Sequence, residues 1–218
     1  MQHGQLFDRE AEVHQSEHLR PHWMQDGTIT FITMRLADSI PKETVQLWDR
    51  EKRHFLVAHG IDVDDWRIGR QQLPTADRKD FDQTFHRKRE RSLDECLGRC
   101  VLRDPDVAKI VADSMLHFDE DRYRMGDFVI MPNHVHMLVV FPTADLLKKQ
   151  CYSWTHYTAT MINRWLGSSG TLWQDEPFDH LVRSEKQLVY LRRYIAENPS
   201  KAGLRDGEFI YRRSSRRY

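Results

Sequence analysis

Two histidines, His134 and His136, flank a single valine in MPNHVHMLVVFP, residues 131–142. Side chains two apart on a strand point the same way, so both imidazoles face one side and one ion can reach both. Two ligands do not complete a metal site, and a third must come from elsewhere in the chain. Tyr194 and Asn198 are four apart in RYIAENP, one turn apart on the same face of a helix. An Asn amide oxygen beside two imidazoles suits a hard divalent ion such as Mg2+ or Mn2+, with a tyrosine hydroxyl close to whatever that ion polarises. Such a set can attack a phosphodiester: the phenolate adds in line, the 3′ oxygen departs, and a covalent phosphotyrosine bond remains. That bond keeps the energy of the diester, so a second 3′ hydroxyl can reverse the step without ATP. A phenol, with a pKa of about 10, ionises more readily beside a metal than an alkyl hydroxyl and leaves more readily on the return. Spacing alone leaves two alternatives open, with HVH as core or outer-sphere histidines and Tyr194 as a packed aromatic whose hydroxyl reaches the surface.

Hydrophobic periodicity gives the elements that must position these residues. TITFITMRL, residues 28–36, reads as a strand announced by the turn signal QDG. A helix should begin near Lys42 and run to the glycine of VAHG, with Val45, Leu47, Trp48, Phe55 and Leu56 at helical spacing. Residues 61–91 are dense in charge and read as an exposed insertion, helical in parts. DPDVAKIVADSML predicts a helix from Asp104 or Pro105. RYRMGDFVIMPNHVHMLVVFP then reads as two strands broken at Pro132 and Asn133, with the histidines heading the second. A long helix over residues 144–166, a short strand in FDHLVRS and a helix from Ser184 follow, the last ending at Asn198 and Pro199 because proline disfavours helix in the residue before it. The order strand, helix, strand, strand, helix, strand, helix predicts an α+β fold. It is a ferredoxin-like, split βαβ antiparallel sheet with helices on one face, plus an extra C-terminal helix carrying the tyrosine.

Composition bounds the partners. With 39 % apolar and 30 % charged residues over 218 positions, the chain suits one sizeable soluble domain. The expected organisation is an N-terminal extension at residues 1–20, a single domain at 21–211 containing the 61–91 insertion, and a basic tail at 212–218. No apolar run is long enough for a bilayer and the N-terminus reads as no signal peptide, so the expected location is the cytoplasm, associated with the nucleoid, with no membrane partner. Three cysteines, Cys96, Cys100 and Cys151, suit a reducing compartment, and ECLGRC lacks the partner ligands zinc would need. The formal net charge is zero, but residues 183–218 hold ten Lys or Arg against four Asp or Glu, a local balance of +6. That excess could neutralise phosphates. Arg192 and Arg193, beside Tyr194, are candidate phosphate contacts, and Arg212, Arg213, Arg216 and Arg217 could grip a hairpin. Trp154, Trp165 and Trp173 could stack on bases, with core packing the expectation for at least two of them.

PNHVHMLV followed about sixty residues later by RYIAENPSKAGL resembles the single-tyrosine HUH transposases, and within them the REP-associated tyrosine transposases. PHWMQDGTITFITMRLADSIP, CVLRDPDVA, WTHYTATMINRWLGSSGTLWQDEPFDHLVRSEKQL and KAGLRDGEF carry the narrower likeness, which spans residues 20–211 apart from the charged insertion. The resemblance implies Tyr194 as nucleophile, His134, His136 and Asn198 as ligands of Mg2+ or Mn2+, and cleavage and rejoining of single-stranded hairpin DNA through a 5′-phosphotyrosine. It also implies a monomer, related dimers that exchange the tyrosine helix being the alternative. Tyr157 is a rival nucleophile, but the residue four further on is Met161, which is no ligand for such an ion. Two other readings compete: a hairpin-DNA-binding module without turnover, and a metallophosphodiesterase that uses water.

Overall fold

The computed structural model describes residues 4–17, 21–175 and 177–215. The chain divides into two compact units, Met1–Ala37 with Arg99–Tyr218 and, between them in sequence, Asp38–Gly98.

The larger unit is an α+β structure around an antiparallel sheet. A short pair, β1 (His14–Glu17) and β2 (Pro21–Met24), precedes it. The turn Gln25–Thr28 then leads into β3 (Ile29–Arg35), with Gly27 at a φ of +69° that only glycine adopts freely. Next come α4 (Pro105–Leu116), β4 (Arg124–Ile130), β5 (His134–Val140), α5 (Ala144–Trp165), β6 (Phe178–Leu181), α6 (Glu185–Lys201) and β7 (Ile210–Arg212), with α1 (Lys42–Ala58), α2 (Trp66–Gln72) and α3 (Thr75–Asp94) belonging to the other unit. The sheet runs β6-β3-β5-β4-β7, every pairing antiparallel. From β3 to β6 the strands and α-helices of this unit follow the order β-α-β-β-α-β. Strand β7, at the sheet's edge, is an addition that the sequence did not announce.

Both sheet faces are covered, which is why β3 and β5 are buried along their whole length. One face presents Ile32, Met34, Val135, Met137 and Val139 to Val111 and Met115 of α4 and to Leu147, Trp154 and Ile162 of α5. The other presents Ile29, Phe31, Val129, Leu138 and Val140 to Leu191 and Ile195 of α6. Helix starts follow the expected chemistry: Asp104 caps α4 ahead of Pro105, Thr143 caps α5, and Ser184 caps α6 by accepting from the Gln187 amide. One boundary differs from expectation, since α6 passes through Asn198 and Pro199 and ends at Lys201. Burial of Ile195, Asn198 and Pro199 outweighs proline's local preference there.

The smaller unit holds α1 (Lys42–Ala58), α2 (Trp66–Gln72) and α3 (Thr75–Asp94), so the charge-dense stretch 61–91 is mostly helical. Leu56, Leu73 and Phe81 form its own small core. Lys52 is buried there, with Nζ 3.8 Å from the centre of the Trp66 ring and 3.0 Å from Asp49. Among the described residues no helix is long and apolar enough to cross a membrane.

Candidate active site

The period of two along β5 turns His134 and His136 onto the face covered by α6, and the register sets Arg35 opposite His134 and Thr33 opposite His136. Both imidazoles are buried, with ring centres 4.6 Å apart. His134 Nδ1 lies 2.7 Å from Asn133 Oδ1. An amide oxygen only accepts, so the ring proton sits on Nδ1 and Nε2 carries an open lone pair. His136 Nδ1 lies 2.9 Å from Thr33 Oγ1, which can accept the ring proton and leave the Nε2 lone pair for another partner. That partner is Tyr194, whose hydroxyl lies 3.3 Å away. Phe31 packs against three of the rings around it, stacked on His136 at 5.3 Å, tilted on His180 at 5.2 Å and edge-on to Tyr194 at 6.2 Å.

Burial pushes the His134 imidazole down from its ordinary value of 6.5 to about 3. The Arg35 guanidinium adds to the shift, and the Asn198 amide, beside the ring but not in hydrogen-bond geometry with it, opposes it. The ring is therefore neutral at physiological pH, the form a metal ligand requires. His134 Nε2 and both amide atoms of Asn198 are buried without a hydrogen-bond partner among the described residues. Buried polar atoms are nearly always paired, and three unpaired ones on one face are where a cation could be held. Its donors would be His134 Nε2, His136 Nε2 and Asn198 Oδ1, a set that fits a hard divalent ion. All three are neutral, so the ion's charge stays available for phosphate oxygens. No group of three or more His, Cys, Asp or Glu able to hold a metal is present among the described residues.

The other expected contacts divide sharply. Tyr157 is half exposed on α5, the helix packed on the opposite sheet face, far from the two histidines in the layer order. Trp154 and Trp173 are core residues, whereas Trp165 is 57 % exposed. Arg193 is exposed and 3.7 Å from Glu197. Arg212 lies 3.4 Å from Asp119, and Arg213 is exposed. Arg216 and Arg217 lie outside the described residues. Arg192 turns inward and binds Asp127 through Nε at 2.9 Å and Nη2 at 3.3 Å. Sequence reasoning did not single out Asn133, Thr33, Phe31 or Asp127. The first adjoins His134 and the second shares the strand alternation of TITFITMRL, so both left a local signal. Asp127 left none.

No protein-family model matches the chain, and no curated protein matches it. Among solved structures the chain is similar to one described as "Structure of the REP associates tyrosine transposase bound to a REP hairpin". The two share 15 % sequence identity with a TM-score of 0.43, over 86 % of this chain and 74 % of that one.

Proposed function

We propose that this chain is a tyrosine transesterase that cuts and rejoins single-stranded DNA at hairpin-forming repeats, using Mg2+ or Mn2+ held by His134, His136 and Asn198. The observation that carries the reading is the meeting of the Tyr194 hydroxyl and His136 Nε2 at 3.3 Å beside the unpaired buried atoms of His134 and Asn198. A packed tyrosine needs no such neighbours. The substrate class comes from the sequence resemblance and from the basic balance of residues 183–218.

Held by His134, His136 and Asn198, a divalent ion would supply positive charge to offset that of the phosphate. Tyr194 supplies the nucleophile: its oxygen bonds to phosphorus, its proton passes to solvent, and the 3′ oxygen leaves with the electron pair and takes up a proton. A 3′ hydroxyl attacking the phosphotyrosine reverses each change and releases the phenol. Phe31 holds the rings of His136 and Tyr194 in place, and Asn133 and Thr33 fix the imidazole tautomers.

The test is incubation with labelled single-stranded hairpin DNA, with Mn2+ or EDTA, beside Tyr194→Phe on a denaturing gel. A metal-dependent, protein-linked product absent from the variant is expected. Tight binding without any adduct would favour a hairpin-binding module, and cleavage that survives Tyr194→Phe would make water the nucleophile.

A further inference from the structure

We infer that Asp127 and Arg192 form a clamp that sets the roll of helix α6 about its axis, and that Arg192 serves as a positioning residue for Tyr194 and not as a DNA contact. What the helix delivers rests on the transesterase reading, while the clamp stands on geometry alone. Asp127 is 1 % exposed. Its carboxylate accepts from Arg192 Nε and Nη2 at 2.9 and 3.3 Å and from the Ser214 backbone N–H at 2.8 Å. Arg192 Nη2 also donates to the Ser214 carbonyl at 3.2 Å. A two-pronged arginine–carboxylate pair is directional as well as strong.

The backbone departs from regularity to make this contact. The β4–β5 register shifts between Met125 and Phe128, and these residues, three apart, both face the α4 and α5 side. An unbroken strand forbids that, because its period is two. The bulge re-aims the chain so that Asp127 shares the α6 side with Val129. Strand β7 pairs with β4 at Phe128–Ile130 and delivers Ser214 to the same carboxylate.

Roll matters because of where Tyr194 sits. Successive helical residues turn by about 100°, so Arg192 and Tyr194, two apart, lie about 160° apart around α6. They flank the stripe of Leu188, Leu191 and Ile195 on opposite sides. Apolar contact is non-directional and resists roll weakly. With a Cα radius of about 2.3 Å and a tyrosine reach of about 6.5 Å, a roll of about 10° moves the hydroxyl by roughly 1.5 Å. A misplacement of about 1 Å can cost on the order of 100-fold in rate.

The experiment compares Asp127→Asn, Arg192→Lys, Arg192→Gln and the Asn/Gln double variant, measuring adduct rate at saturating hairpin DNA, hairpin Kd against salt, and amide hydrogen exchange at residues 190–198. Asp127→Asn is expected to slow adduct formation about 10- to 100-fold with Kd and its salt slope unchanged. Arg192→Lys should keep more activity than Arg192→Gln, and the double variant should be no slower than the slower single variant. If instead Arg192→Gln weakens binding and lowers the salt slope by about 0.7 to 0.9 while Asp127→Asn reacts at the wild-type rate, Arg192 touches DNA and the clamp is wrong. Should Asp127→Asn fail to fold, Arg192→Lys against Arg192→Gln carries the same comparison. Wild-type protein that forms no adduct would sink the transesterase reading, and exchange then decides the clamp alone. Exchange in Arg192→Gln at least about tenfold faster than wild type sustains it, and unchanged protection overturns it.

Discussion

Acidification should destabilise the larger unit through His134. The imidazole is fully buried and held down to about 3 against 6.5 in the unfolded chain. Between those values the unfolded chain binds a proton that the folded protein refuses, so stability rises with pH in that window. The contribution is therefore fully present above pH 6.5 and is lost as pH falls from 6.5 towards 3. Each pH unit within the window is worth about 1.4 kcal/mol, so lowering pH from 7.5 to 5 costs about 2 kcal/mol. For a unit of this size, that corresponds to a fall in Tm of roughly 4 to 8 °C. Other groups titrate too, and His134→Gln removes this one alone. The assay is denaturant-dependent hydrogen exchange in EDTA at the amides of residues 134–140, which keeps the separate transition of the Asp38–Gly98 unit out of the reading. The stability gap between wild type and variant should shift by about 2 kcal/mol between the two pH values. Parallel loss in both proteins would refute a neutral, buried His134.

Three further outcomes follow from the same burial. Asn198→Ala should raise stability in EDTA by about 1 kcal/mol, because a buried amide with neither atom paired is costly, and should weaken Mn2+ binding at least about tenfold by calorimetry; lower stability with unchanged Mn2+ affinity would contradict the ligand role. Tyr194→Phe should tighten Mn2+ binding up to several-fold, since it removes a hydrogen bond worth about 1 kcal/mol that competes for the His136 Nε2 lone pair; unchanged affinity would mean the hydroxyl does not occupy that position. Trp154→Ala should cost about 3 to 5 kcal/mol by urea unfolding, while Trp165→Ala stays within about 0.5 kcal/mol, and comparable losses would mean that the two tryptophans are not divided between core and surface.

Much of the site is legible in local sequence because periodicity acts locally. The HVH alternation on β5 fixes the face of both histidines, and the four-residue spacing of Tyr194 and Asn198 fixes theirs on α6. What could not be read depends on contacts between distant residues. Asp127 and Arg192 are 65 positions apart, and the bulge that joins them shifts the parity of β4, so alternation alone misplaces the carboxylate. Arg192 looked like a phosphate ligand because charge beside a nucleophile carries no information about direction. Pro199 looked like a helix stop because its burial in the folded chain is invisible in the residues around it. Helix α1 was legible from its apolar spacing, whereas α3 was hard to separate from a solvated stretch because it is so highly charged that its few buried residues give little amphipathic contrast.

The two sheet faces also differ in how they treat polar atoms, and the proposed site lies on the face towards α6. Towards α4 and α5, the Tyr123 hydroxyl donates to the Met115 carbonyl and Trp173 Nε1 donates to Thr158, leaving Trp154 Nε1 without a hydrogen-bond partner among the described residues. Towards α6, a tyrosine hydroxyl, two imidazoles and an amide converge, with one ring nitrogen and both amide atoms unpaired. Apolar residues at those positions would give a better-paired and more stable core. A fold selected for stability alone has no use for such an arrangement, whereas one that must bind a cation beside a phenol has to accept its cost in the free protein. The Asp127–Arg192 pair acts in the opposite sense, spending a strand irregularity to hold still the helix on which half of that arrangement rides.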